Sequence, residues 1–222
     1  MVQISKLILH TTNVAEIQKF YGRLGFPILL SNDDEVRVQV GETELTFQHS
    51  DEEAFYHFAL NIPANQLIQS ISWLKSRQVP VLTHQGHEVV RFGTPFDADA
   101  CYFHDPAGSI VELIARHRLS ALTRFEFSAE HIQCVSEIGL PTQNGRALSL
   151  SLCSAFGQDV FVGEDSDEFT AVGDDVGLFI VVKKDWEWLP TGRAAKMFPL
   201  IVVLSSQRTL SLSSPENTYV MD

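Results

Sequence analysis

Apolar and polar residues alternate along residues 56–63, Tyr-His-Phe-Ala-Leu-Asn-Ile-Pro, and mark a strand that Pro63 ends. Counting by twos puts His57, Ala59 and Asn61 on one face and Phe58, Leu60 and Ile62 on the other. The apolar face suits packing on a helix; the face with an imidazole and an amide suits a cavity wall. Residues 4–10 have the same pattern, with Leu7 and Leu9 opposite Lys6, Ile8 and His10. A helix is expected from about Val14, capped by Thr12 or Asn13, with Ile17, Phe20, Tyr21 and Leu24 inward and Gly25 as its stop. Strands over 27–30, 36–40 and 43–49 complete a β-α-β-β-β unit.

Residues from 57 onward repeat that order. A helix from about Asn65 buries Leu67, Ile68, Ile71 and Leu74. Strands follow over 79–82, 101–104 and 110–115, with a polar connection at 83–98 and an Asp-Pro-Ala-Gly turn at 105–108. Side by side, Lys6-Leu7-Ile8-Leu9 falls on His57-Phe58-Ala59-Leu60, and Glu44-Leu45-Thr46 on Glu112-Leu113-Ile114. A weaker third copy opens at Val135, with Glu137 at the place of Lys6 and His57. It continues with a helix over 145–156 and strands over 169–172 and 177–182; aligning Gly177 with Gly41 puts Ile180 where Glu44 stands. The expected class is α+β: tandem βαβββ repeats forming a curved, half-barrel mixed sheet around a cavity, with a degenerate third repeat. The expected division is a paired βαβββ domain over 1–118, a linker over 119–131, and the degenerate unit with extra strands (199–204 and 209–212) over 132–222. Glu164, Asp165, Asp167 and Glu168 read as a solvated loop, Trp186 and Trp188 as packing residues, and Ser213 onward as a loose tail.

Composition narrows the function. Hydrophobic residues make up 45% of the 222, enough for a packed core, and the net charge of −12 disfavours phosphate backbones and anionic lipid. No nucleic-acid or membrane partner is expected. Three cysteines without metal-type spacing argue against a disulfide framework. With no signal-peptide pattern and no run of membrane-spanning length, a cytoplasmic location is expected.

Three segments carry a family resemblance: Phe20-Tyr21-x-x-Leu24-Gly25-Phe26, Tyr56-His57-Phe58-Ala59, and residues 102–114, Tyr-Phe-His-Asp-Pro-Ala-Gly-Ser-Ile-Val-Glu-Leu-Ile. Over about residues 4–117, with an echo in 132–182, the chain resembles the vicinal oxygen chelate superfamily. That group includes glyoxalase I, extradiol dioxygenases, fosfomycin-resistance thiol transferases and bleomycin-sequestering proteins. The resemblance implies metal ligands on the first and last strands of each unit, here Lys6, Glu44, His57 and Glu112. Glu44, His57 and Glu112 are the candidate ligands for one divalent first-row metal: Mn, Fe, Co, Ni or Zn. Lys6 departs from the pattern, since an ammonium is not a ligand; if Lys6 fills the site, no metal is expected.

Two functions follow. One is a metal-dependent lyase or dioxygenase, with Glu112 and Lys6 as catalytic candidates and His10, Thr46, Gln48 and Asn61 lining the substrate cavity. The other is a metal-free small-molecule binding or sequestration protein, in which Lys6 pairs with a glutamate and His57 is a hydrogen-bonding wall residue. A third reading is a dimeric interaction module: the concave face of an unpaired third unit needs cover, from a homodimer partner or from the C-terminal strands.

Overall fold

The computed structural model describes residues 2–119, 122–163, 166–214 and 218–222; Glu164 and Asp165 of the acidic loop, and parts of the expected linker and tail, lie outside the described residues. The first unit comprises β1 (Ile4–Thr11), α1 (Val14–Leu24), β2 (Ile28–Ser31), β3 (Glu35–Val40) and β4 (Thr43–His49). The second comprises β5 (His57–Ile62), α2 (Leu67–Ser76), β6 (Val90–Phe92), β7 (Ala98–His104) and β8 (Ile110–Arg116). The third comprises β9 (Cys134–Thr142), α3 (Gly145–Phe156), β10 (Val160–Val162), β11 (Phe169–Asp174) and β12 (Gly177–Lys183). A short hairpin, β13 (Glu187–Trp188) and β14 (Arg193–Ala194), precedes β15 (Leu200–Leu204), β16 (Thr209–Leu212) and β17 (Val220–Met221).

Local chemistry sets the helix ends. The Asn13 side chain accepts the Glu16 N–H at 3.1 Å, and Gly25 ends α1 in the left-handed region at φ 94°. Asn144 caps α3 in the same way, accepting from the Ala147 N–H at 3.0 Å. On α2 the buried face is Leu67, Ser70, Ile71, Trp73 and Leu74, while Ile68 is 65% exposed, correcting its expected place inside. The 79–82 segment contributes only a bridge from Leu82 to Tyr102 instead of a strand.

Each unit closes on itself by a parallel pairing of its first and last strands: β1 with β4, β5 with β8, β9 with β12. That leaves each opening strand one free edge, whose N–H and C=O groups need a partner. The first edge of β1 goes to β15, and that of β5 goes antiparallel to β9. An eight-stranded sheet therefore joins units two and three, in the order β10-β11-β12-β9-β5-β8-β7-β6. A seven-stranded sheet joins unit one to the C-terminal strands, in the order β17-β16-β15-β1-β4-β3-β2. The expected sheet shared by units one and two is thus corrected. The third unit is not unpaired, which removes the ground given for a covering homodimer. Val220 and Met221 pair with β16 and are not a loose tail.

The helices and inner sheet faces bury one core that crosses between the sheets, with Phe20 stacked on Phe103 at 6.1 Å and Phe26 edge-on to Trp73 at 6.4 Å. Thr43 Oγ1 donates to the Ile4 carbonyl (2.7 Å) and accepts from the Val135 N–H (3.0 Å), fastening unit one to the entrance of unit three. Gly41, at φ 54°, makes this approach possible: a Cβ there would lie 1.9 Å from the Gln133 carbonyl oxygen.

Candidate active site

On the concave face of the eight-stranded sheet, β5 presents His57, Ala59 and Asn61, and β8 presents Ile110, Glu112, Ile114 and Arg116. Ala59 lies opposite Glu112 on one side and opposite Glu137 of β9 on the other. Its methyl group leaves room for both carboxylates to converge. One ligand atom each from His57, Glu112 and Glu137 lies within 4.8 Å of the others, and all three residues are buried.

The environment fixes their protonation. His57 Nδ1 is 3.1 Å from the Ile110 carbonyl oxygen, which can only accept, so Nδ1 carries the proton and Nε2 keeps its lone pair. Burial lowers the His57 pKa to about 4, so the ring is neutral at pH 7. Nε2 is 3.6 Å from Glu112 Oε2, beyond hydrogen-bond range. Burial, reinforced by the negative charge of Glu137, raises the Glu112 carboxyl well above the usual range. The Tyr102 hydroxyl lies beside this carboxyl, and Glu112 Oε1 has no hydrogen-bond partner. Burial also raises the Glu137 pKa, opposed by the Arg116 guanidinium paired with it. Arg116 is fully buried: Nε donates to Asn61 Oδ1 at 3.2 Å, and Nη1 lies 3.7 Å from Asp175 Oδ1. Asp175 in turn takes Arg118 bidentately at 2.9 and 2.7 Å.

The three residues line one end of a cavity of about 290 Å³, whose walls include Phe92, Phe96, Tyr102, Phe169, Trp186 and Trp188. Among the described residues, a hollow of about 500 Å³ beside the start of α3 is lined by no histidine, cysteine or carboxylate.

Of the residues singled out in the sequence, His57 and Glu112 are brought together, but Lys6 and Glu44 are not with them. Both stand on the seven-stranded sheet, directly opposite each other on β1 and β4, with Lys6 Nζ 2.7 Å from Glu44 Oε1. The registers of the two units also differ: Lys6 opposes Glu44, whereas His57 opposes Ile110 and Glu112 opposes Ala59. His10, Thr46 and Gln48 share the Lys6 sheet, away from this cavity. Asn61 faces the cavity side but spends its amide on Arg116 and on the Asp175 carbonyl, at 2.9 Å. The site gains Glu137, Arg116 and Tyr102. Glu137 had a visible signal, its repeat position matching His57, and Arg116 continues the two-residue period of β8 beyond Glu112 and Ile114. Trp188 packs against His57, with ring centroids 4.6 Å apart.

No sequence-family model matches the chain, and no curated protein matches it significantly. Solved structures do. A "putative dioxygenase" from Bacillus subtilis superposes with a TM-score of 0.62 at 16% identity, covering 91% of this chain and 69% of that one. Two glyoxalase I variants from Zea mays superpose with TM-scores of 0.59 and 0.56 at 13% and 12% identity, covering 100% and 99% of this chain and 92% of each of theirs. At such identities the likeness concerns the fold alone. With its tandem βαβββ units and curved sheets, the chain shares the fold of these dioxygenase and glyoxalase I structures.

Proposed function

We propose that the chain is a metal-dependent enzyme acting on a small molecule in the cavity of the eight-stranded sheet, with His57, Glu112 and Glu137 as the metal ligands. The observation that carries this reading is the convergence of those three groups, with a buried Glu112 oxygen left unpartnered beside them. A neutral imidazole and two carboxylates suit Mn, Fe, Co, Ni or Zn with positions left for substrate. A metal held there supplies Lewis acidity to substrate oxygens, the chemistry of a lyase or a dioxygenase. The chain's own residues do the rest. The Ile110 carbonyl aims His57 Nε2, and Arg116 holds Glu137 in place. Glu112 gives up its proton when it takes up a cation, and the aromatic walls shed water around an apolar substrate body.

A second reading, a metal-free small-molecule binding protein, is favoured by one observation: Arg116 already neutralises Glu137, so the site carries little charge to attract a cation. Elemental analysis of protein purified without chelator separates the two. Stoichiometric first-row metal, lost in Glu137→Ala and retained in Lys6→Ala, supports the enzyme. Metal-free protein that cannot be reloaded selects the binding protein.

A further inference from the structure

The ligating groups of the cavity are nearly sealed: His57 is 7% exposed, Glu112 3% and Glu137 4%. Trp188, itself buried, lies over the His57 ring, so a molecule that is to lie against the imidazole must first displace that cover. Of the other aromatic walls, Phe169 lies on β11 inside the large sheet, Phe92 on its edge strand β6, and Phe96 in the connection to β7. The segment 185–195 carrying β13 and β14 belongs to neither large sheet. Its main-chain hydrogen bonds stay within the segment or reach back to Lys183: Asp185 N–H to the Ala195 carbonyl (2.8 Å), Ala195 N–H to Trp186 (2.7 Å), Gly192 N–H to Trp188 (2.8 Å) and Trp186 N–H to Lys183 (3.0 Å).

Side chains hold this hairpin down. Trp188 covers the His57 ring and fills the space left by Gly139, where a Cβ would lie 2.8 Å from the indole. Trp186 lies against Phe169 at 5.7 Å. At the far end, Arg193 Nη1 donates to the Gly108 carbonyl at 2.8 Å in the β7–β8 turn, and its guanidinium lies 3.3 Å from the centroid of Phe55. Asp185, at φ 68°, begins the segment in a backbone conformation that non-glycine residues seldom adopt, a natural pivot.

We propose that the Asp185–Ala195 hairpin is the gate of the cavity, with Trp188 as the plug over His57 and Arg193 as the latch on the β7–β8 turn. The segment opens as a unit because its backbone bonds are internal and survive the movement. Opening breaks the Arg193–Gly108 bond and the Arg193–Phe55 stack, and it draws the indole off the imidazole. Trp188 thereby also limits the size of molecule that can lie against His57 in the closed form. Because the gate concerns access to His57, it holds whether a metal or a proton occupies the site.

Diethyl pyrocarbonate, a small neutral electrophile that acylates unprotonated imidazole, tests this at pH 7 by peptide mapping of metal-free protein. His49 and His117, whose side chains are 46% and 44% exposed, serve as internal standards. In the wild type, His57 reacts far more slowly than both. Arg193→Ala, a change at an exposed residue, raises the His57 rate about tenfold or more while His49 and His117 stay constant, the effect of losing roughly 1.4 kcal/mol of closure. Trp188→Ala raises it further. An unchanged His57 rate in Arg193→Ala, or wild-type His57 reacting as fast as His49, overturns the gate. Neither result bears on the metal content, which the elemental analysis reads separately.

Discussion

Replacing Asp105 by Asn is expected to stabilise the protein at neutral and alkaline pH, and only there. Asp105 opens the β7–β8 turn and is 4% exposed. Its Oδ1 accepts the Ser109 N–H at 2.8 Å, while its Oδ2 is buried without a partner beside Tyr21. Burial outweighs the hydrogen bonds from Ser109 and raises its pKa from 3.8 to about 7. The sign follows from proton counting. Between about pH 4 and 7 the folded chain keeps a proton that the unfolded chain has lost, so stability falls as pH rises through that window. Above it the full difference, about 3 pK units or ~4 kcal/mol, is lost. Asparagine never ionises and keeps the acceptor for Ser109. Urea unfolding of both proteins from pH 4 to 9 should give curves that meet near pH 4 and diverge by up to ~4 kcal/mol above pH 7, the variant being the more stable. Other titrating groups, including His57 and Glu112, are common to both proteins and cancel in the difference. Parallel curves, or a variant less stable at pH 8, would mean that Asp105 is not held neutral by its burial.

Arg116→Met strands Glu137 without its partner and should cost about 3–5 kcal/mol in chemical denaturation. Adding Glu137→Leu to it should recover most of that loss, because the buried charge and its partner then leave together. Lys6→Ala removes a partly exposed ion pair on the other sheet; it should cost about 1 kcal/mol or less and leave the metal content of the cavity unchanged.

The units were legible because each repeats a strand–helix–strand pattern, with Asn and Gly caps on α1 and α3. Asn13, Gly25 and the Asp105–Gly108 turn mark boundaries within a residue or two of where they fall. Which units share a sheet was not legible. Every opening strand here is a run of apolar residues with one free edge, and nothing local in β5 says that the edge goes to β9 and not to β1. The decision lies in contacts far apart in sequence: Arg116 with Glu137, Asn61 with Asp175, Thr43 with Val135. That one ambiguity displaced two of the four expected ligand positions. Lys6 and Glu44 went to the seven-stranded sheet, and Glu137, already aligned with His57 by the repeat, took the place beside Glu112. The obstacle that Lys6 posed to metal binding left with it. Arg116, which the repeat did not single out, brings a different cation to the site.

X-ray absorption at the edge of the bound metal tests the proposed ligand set most directly. Protein carrying its native metal, or reloaded with cobalt, should show one imidazole among oxygen neighbours, and His57→Asn should lose the imidazole scattering while the fold is kept. A metal that cannot be loaded, a coordination shell with two or more imidazoles, or a spectrum unchanged by His57→Asn would contradict a centre built from His57, Glu112 and Glu137.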